Sequence, residues 1–194
     1  MAMTCFRGFT FPLWEFFAGN LLLLICSLFY LAWWVVSYRP NPTGGSSGMI
    51  FITAAFITGC AALALASAGI NTLAEDSSGV PVRFVLAGCA ALFFVLLPVT
   101  SILFHRPVTS ELLIIHVWAA LELSAISVLY GAGRFGTGRA AAMAALVGIA
   151  TVAGLISYVL YYRLGETAQY RIGMVPLATD ALVMMIFLAL LAGS

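Results

Sequence analysis

Long runs of apolar residues, separated by short polar segments, occupy most of the chain. A helix that crosses the hydrocarbon layer of a membrane needs about 20 apolar residues in succession. The runs show no strict alternation of apolar and polar positions, which is the pattern of a membrane β-barrel. We therefore predict six membrane-spanning helices, at about residues 17–38, 49–73, 82–104, 109–130, 140–162 and 172–192.

The polar segments between these runs are short, and short connections make sequential helices antiparallel neighbours. The predicted fold is all-α: a polytopic membrane protein, built as a bundle of six transmembrane helices with short loops. Residues 1–194 form a single transmembrane domain in this prediction. Residues 5–16 are rich in Phe and Trp, with Arg7 and Glu15 among them. They are either an interfacial segment at the lipid headgroups or the start of a longer, tilted first helix.

Composition supports a membrane location and excludes one class of partner. Of the 194 residues, 63% are hydrophobic and 8% are charged, whereas a soluble domain has roughly a quarter charged residues. The expected surroundings are a lipid bilayer, and the expected location is the cell (inner) membrane, as a multi-pass protein. The net charge is +1 and no lysine is present, so no basic stripe is available to neutralise phosphates. We expect no nucleic-acid partner.

Several common chemical motifs are absent from the sequence. The four cysteines form no C-x-x-C pair, and three of them lie inside apolar runs, which is typical of packing residues. No metal site is predicted. The chain has no G-x-x-x-x-G-K-[ST] motif and no H-E-x-x-H motif. The sequence therefore predicts no nucleotide hydrolysis by the chain itself, and it leaves the cofactor unknown.

Two acidic residues lie deep within the predicted spans. Glu122 is twelve positions from both Ser110 and Arg134, which corresponds to about 18 Å of helix on either side. Asp180 lies nine positions after Arg171, or about 13 Å. An ionisable group near the bilayer centre costs at least about 2.5–3.5 kcal/mol. Each acid must therefore pair, stay protonated or face a wet cavity.

The neighbours of these acids extend the candidate site. Trp118 lies one turn from Glu122, so a charge and an aromatic face could together hold a cationic or aromatic ligand; a packed tryptophan is the alternative. His116 could relay protons, or could form an ordinary hydrogen bond between helices. Thr179 adds a hydroxyl beside Asp180. The predicted substrate-binding residues are Glu122, Asp180, Trp118, His116 and Thr179, with no catalytic or metal-binding residues predicted.

Small residues recur at four-residue spacing in the second and fifth spans. Ala55 and Gly59 form one such pair, and Ala144 and Gly148 form another. Helices in lipid approach each other closely through such residues. The same pattern serves either the interior of the bundle or an interface with a second copy or a partner subunit.

These features favour a small integral membrane transport or solute-binding protein, with a polar site for a small-molecule ligand between spans four and six. An alternative is a membrane-embedded enzyme that acts on a lipid or another apolar substrate through Glu122 and Asp180 as general acid and base. A structural or regulatory subunit is the third hypothesis, in which the acids only join helices. Whether the protein is an enzyme is left open by the sequence.

Overall fold

The computed structural model describes residues 11–38, 47–75, 82–104 and 110–192. Within these ranges the chain forms helices and no strand, as the apolar runs predict. The helices are α1 (Phe11–Tyr38), α2 (Ser47–Glu75), α3 (Val82–Phe104), α4 (Ser110–Gly131), α5 (Thr137–Tyr161) and α6 (Glu166–Ala192).

Four of these helices are long and apolar enough to cross a membrane. The qualifying segments are Leu13–Tyr38, Gly48–Ala74, Thr137–Tyr161 and Thr167–Ala192. At about 1.5 Å per residue, each exceeds the roughly 30 Å hydrocarbon layer. Helices α3 and α4 contain shorter apolar segments, Phe94–Leu103 and Ile115–Gly131. The helices indicate a multi-pass helical membrane protein, and the crossing of the membrane by α3 and α4 remains a prediction.

The apolar runs locate the helices better than they locate the helix ends. Helix α3 occupies residues 82–104, as predicted, but α1 begins at Phe11 rather than near Phe17, and α6 begins at Glu166 rather than near Ile172. The additional turns contain polar residues, which a helix accepts although they fall outside an apolar run. Residues 11–16 of the segment 5–16 belong to α1, and residues 5–10 lie outside the described residues.

Contacts divide the chain into two compact units. Unit 1 consists of Met1–Gly69 and Val152–Ser194, and unit 2 of Ile70–Thr151. Unit 1 therefore contains α1, most of α2, the last part of α5 and α6. Unit 2 contains α3, α4 and the remaining parts of α2 and α5.

In unit 1, α1 and α2 run antiparallel and approach closely through small residues. A Cβ atom on Gly19 would lie 2.6 Å from the backbone nitrogen of Ala66, so only glycine fits at this position. Two turns along, the thiol of Cys26 donates a hydrogen bond of 3.1 Å to the carbonyl oxygen of Ala55. Close packing through glycine and alanine is typical of helix pairs in lipid.

In unit 2, one side of α4 is buried, and the opposite side includes the exposed residues Leu123, Ser127 and Tyr130. The thiol of Cys89 in α3 lies 3.9 Å from the carbonyl oxygen of His116 and donates to it. The buried residues of α4 are Ile115, Trp118, Ala119, Leu121, Glu122, Ala125, Ile126, Val128 and Leu129.

A tight turn ends α4 and leads into α5. Gly133 has a φ of 70°, a left-handed conformation that glycine adopts without strain. The amide of Arg134 then donates a 2.9 Å hydrogen bond to the carbonyl oxygen of Leu129. This bond gives a donor to a carbonyl of the last turn of α4, which has no partner within the helix. Phe135 is buried against this turn, so α5 starts from a fixed position.

Candidate functional site

Both acids predicted to lie deep in the membrane have buried side chains. Glu122 in unit 2 has an exposed fraction of 3%, and Asp180 in unit 1 has one of 6%. Oε2 of Glu122 and Oδ1 of Asp180 have no hydrogen-bond partner among the described residues. A buried polar atom without a partner costs roughly 1–3 kcal/mol, and such atoms are few in folded proteins. These two oxygen atoms are therefore points at which a bound group would restore hydrogen bonding.

A second unpartnered polar atom lies beside Glu122. Trp118 is buried one turn earlier on α4, and its Nε1 has no acceptor among the described residues. Residues four positions apart occupy the same face of a helix. This face of α4 therefore has one hydrogen-bond donor and one acceptor that lack partners among the described residues.

The remaining two predicted residues have contacts within the helices. The hydroxyl of Thr179 donates to the carbonyl oxygens of Val175 and Pro176, at 2.9 Å each. Its single proton is therefore shared within α6. His116 is half-buried, and its backbone carbonyl accepts the thiol of Cys89. A role for either residue in ligand binding remains a prediction.

Asn20 in α1 is a buried polar residue that the sequence analysis did not select. Hydropathy places it near the start of the first span, but α1 begins at Phe11, so Asn20 lies nine residues inside the helix. Its exposed fraction is 1%. Nδ2 donates a 3.2 Å hydrogen bond to the carbonyl oxygen of Phe16, while Oδ1 has no partner among the described residues. In the sequence, the feature that could have indicated a buried role for Asn20 is its position within an otherwise apolar run.

Several hydroxyl groups of unit 1 already donate to carbonyl oxygens of their own helices. This arrangement is common for serine and threonine in membrane helices. A hydroxyl has one proton, so these groups are not available as donors to Asn20 Oδ1 or Asp180 Oδ1. The hydroxyls in this state belong to Ser27, Thr58, Ser157 and Thr179.

Comparisons with protein-family models, with curated proteins and with solved structures give no match. Within the described ranges, no three His, Cys, Asp or Glu side chains form a group that could hold a metal ion. The functional assignment therefore rests on the buried polar residues themselves.

Proposed function

We propose that this chain is a small integral membrane transport or solute-binding protein whose ligand is held by buried carboxyl groups. The observation that supports the proposal is the state of Glu122 and Asp180. Both are buried in apolar helices, and each has a carboxyl oxygen without a partner among the described residues. A bound cation or hydrogen-bond donor would supply the partner that a carboxyl group in such surroundings lacks.

The α4 face in unit 2 favours a ligand that both donates and accepts hydrogen bonds. Nε1 of Trp118 would donate to the ligand, and Oε2 of Glu122 would accept from it. The indole ring adds an apolar and aromatic surface, which suits a cationic or planar group. Ligand sites commonly combine a mostly apolar lining with a few polar groups placed in this way.

In unit 1, α6 has a weak point one turn before Asp180. Pro176 lies inside the helix and has no amide proton to donate to the carbonyl oxygen of Ile172. A proline of this kind is a common site of helix bending. Bending of α6 at Pro176 would allow Asp180 to meet or release a ligand without unfolding the helix.

The test is a thermal-unfolding screen of the purified protein against vitamins, amino acids, organic cations and lipids. A ligand that binds the folded state raises the melting temperature by mass action. We expect at least one class to do so, and we expect Glu122→Gln or Asp180→Asn to reduce the effect. Uptake of the same compound into proteoliposomes would distinguish transport from binding alone.

Glu15→Gln is the matched control, because it removes a carboxylate from a half-buried position near the start of α1. Trp118→Phe removes the indole N–H and retains an aromatic ring. A compound that stabilises wild type, Glu122→Gln and Asp180→Asn equally would show that the carboxyl groups do not bind it. Turnover of a lipid that stops in either variant would instead support an enzyme.

The sequence prediction of one site served by both spans four and six is tested by the double variant. If both carboxyl groups bind the same ligand, the effects of Glu122→Gln and Asp180→Asn on its affinity will be non-additive. If the two acids bind separate ligands, only one of the two substitutions will lower the affinity for a given ligand.

A further inference from the structure

Contacts near both ends fix how α1 and α6 pack in unit 1. At one end the rings of Phe16 and Phe187 meet edge to face, with centroids 5.7 Å apart. At the other end Nε1 of Trp34 donates a 3.0 Å hydrogen bond to the carbonyl oxygen of Tyr170. The Trp34 ring also occupies the space that a Cβ atom on Gly173 would need. The two helices therefore run antiparallel and in contact.

Asn20 and Asp180 lie on the facing sides of this helix pair. Asn20 follows Phe16 by four positions and Asp180 precedes Phe187 by seven, and both spacings return to the same helix face. At about 1.5 Å per residue, Asn20 lies about 6 Å and Asp180 about 10 Å from the aromatic pair. Along the helix axes the two residues are therefore about 4–5 Å apart, which is less than one turn.

Each of the two side chains has an oxygen atom that lacks a donor. Oδ1 of Asn20 and Oδ1 of Asp180 are buried and unpartnered among the described residues. One amide proton of Asn20 Nδ2 donates to the carbonyl oxygen of Phe16. The second proton makes no hydrogen bond to Asp180 Oδ1, which accepts none from the described residues. Two acceptors without a donor repel each other, unless a positive charge or a proton lies between them.

Among the residues of unit 1 that the structure describes, no charged group supplies this positive charge. On α6, Arg171 is nine positions from Asp180 and exposed, and Arg163 in the α5–α6 turn is also exposed. On α1, Glu15 is five positions from Asn20 and adds negative charge. Glu166 begins α6, fourteen positions before Asp180, and Glu75 in α2 and Arg139 in α5 belong to unit 2. The other titratable groups on the described parts of α1, α2, α5 and α6 are thiols and phenols, those of Cys26, Cys60, Tyr30, Tyr38, Tyr158, Tyr161 and Tyr170.

The packing beside Asn20 restricts the size of any occupant. Gly19 is the preceding residue, and it lies so close to the backbone of Ala66 in α2 that a methyl group would not fit. On the other side, the Phe16–Phe187 contact closes the helix pair one turn away from Asn20. A group held between Asn20 and Asp180 must therefore be small.

We propose that Asn20 and Asp180 together form a binding site for a single small positive charge, either a proton or an alkali-metal ion such as Na⁺. The inference rests on the proposed transport function, for which this site would bind the coupling ion. Amide and carboxylate oxygens are the ligands that hard cations prefer. The single carboxyl group balances one positive charge, which selects a monovalent ion over a divalent one.

The experiment measures thermal unfolding of the purified protein with LiCl, NaCl or KCl, at constant ionic strength maintained with N-methyl-D-glucamine chloride. A second arm varies pH in the absence of alkali cations. If the site binds an alkali cation, we expect a saturable rise in melting temperature with one of the three salts. If it binds a proton, we expect the melting temperature to change with pH in the absence of alkali cations. Asp180→Asn should abolish the response, and Asn20→Leu should weaken the apparent affinity about tenfold or more.

Two further variants test the pairing even if Asn20→Leu folds poorly. The exchange variant Asn20→Asp with Asp180→Asn retains one amide and one carboxyl group, so its response to the monovalent ion should return. Asn20→Asp alone creates two carboxyl groups and should bring stabilisation by Ca²⁺ or Mg²⁺, which wild type lacks. Asn71→Leu, at an exposed position of α2, and Glu15→Gln are the matched controls and should respond as wild type does.

The proposal is overturned if wild type responds to neither cations nor pH. It is equally overturned if the response persists in Asp180→Asn, or if Asp180→Asn abolishes it and the exchange variant does not restore it. These readouts need no solute. An ion response without any solute found would therefore leave this site standing while the proposed function fails. Solute binding that depends on Asp180 and not on Asn20 would support the proposed function and contradict the Asn20–Asp180 ion site.

Discussion

The indole Nε1 of Trp34 donates a 3.0 Å hydrogen bond to the backbone carbonyl oxygen of Tyr170, and this bond joins α1 to α6. Trp34 is buried, and its ring stacks on Tyr38 with centroids 4.5 Å apart. A hydrogen bond between helices in lipid contributes roughly 0.6–2 kcal/mol. The Trp34–Tyr170 bond therefore sets the register of a helix pair that has Asn20 and Asp180 on its facing sides.

Trp34→Phe should destabilise the protein by about 0.5–1.5 kcal/mol, because it removes this hydrogen bond and retains an aromatic ring. Unfolding by denaturing detergent, followed by circular dichroism, measures the change in the free energy of unfolding. Trp14→Phe is the control, because Trp14 is exposed. An equal loss in the two variants would show that the Trp34–Tyr170 bond adds no stability.

Substitution of two helical glycines by alanine should have opposite effects. Gly19→Ala places a methyl group against the backbone of Ala66, and overpacking of this kind costs about 1–3 kcal/mol. Gly148→Ala in α5 meets nothing within 4 Å and should stabilise the helix by about 0.5–1 kcal/mol. The same unfolding measurement applies to both. A neutral or stabilising Gly19→Ala would contradict the close α1–α2 approach.

The aromatic contact between Phe16 and Phe187 can be measured by a double-mutant cycle. We expect the two substitutions to leucine to couple by about 0.5–1.5 kcal/mol, because edge-to-face rings attract beyond their buried area. Phe16→Leu combined with Phe94→Leu is the control, since Phe94 is an exposed residue of α3. Coupling close to zero for Phe16 with Phe187 would contradict the antiparallel packing of α1 and α6.

The number of membrane crossings is decided by the segment between α3 and α4. A single cysteine replaces Arg106 in a background in which the four natural cysteines are changed to alanine. With six spans, this cysteine and one placed at Arg134 lie on opposite sides of the membrane. Membrane-impermeant maleimide applied to sealed, oriented vesicles should then label one and not the other. Labelling of both from the same side would show that α4 does not cross.

Apolar runs were sufficient to predict the helices because lipid requires each spanning segment to satisfy its own backbone. They misplaced the starts of α1 and α6, since residues such as Glu166 and Arg171 are compatible with a helix but not with an apolar run. Burial of Glu122 and Asp180 followed from the cost of an ionisable group in lipid. The free-energy cost of exposing a carboxyl group to lipid predicts that these side chains are buried, but it does not identify a ligand for them.

Asn20 shows why the candidate site was incomplete in the sequence. Its depth depends on the start of α1 at Phe11, and its position opposite Asp180 depends on the Phe16–Phe187 contact. Neither the helix start nor a contact between residues so far apart in the chain leaves a local pattern. A lone asparagine in an apolar run is a signal only once the facing helix is known.

The glycine at position 173 has a consequence for how α6 can move. Because the indole of Trp34 fills the notch at Gly173, α6 cannot slide along α1 by one turn without expelling a large aromatic ring. Pro176 lies three residues beyond this notch and four before Asp180. Bending at the proline would move Asp180 relative to α1 while Gly173 stays in place, and it would also have to separate the rings of Phe16 and Phe187. The part of α6 before Pro176 would then stay fixed against Trp34, while the part after it moves Asp180.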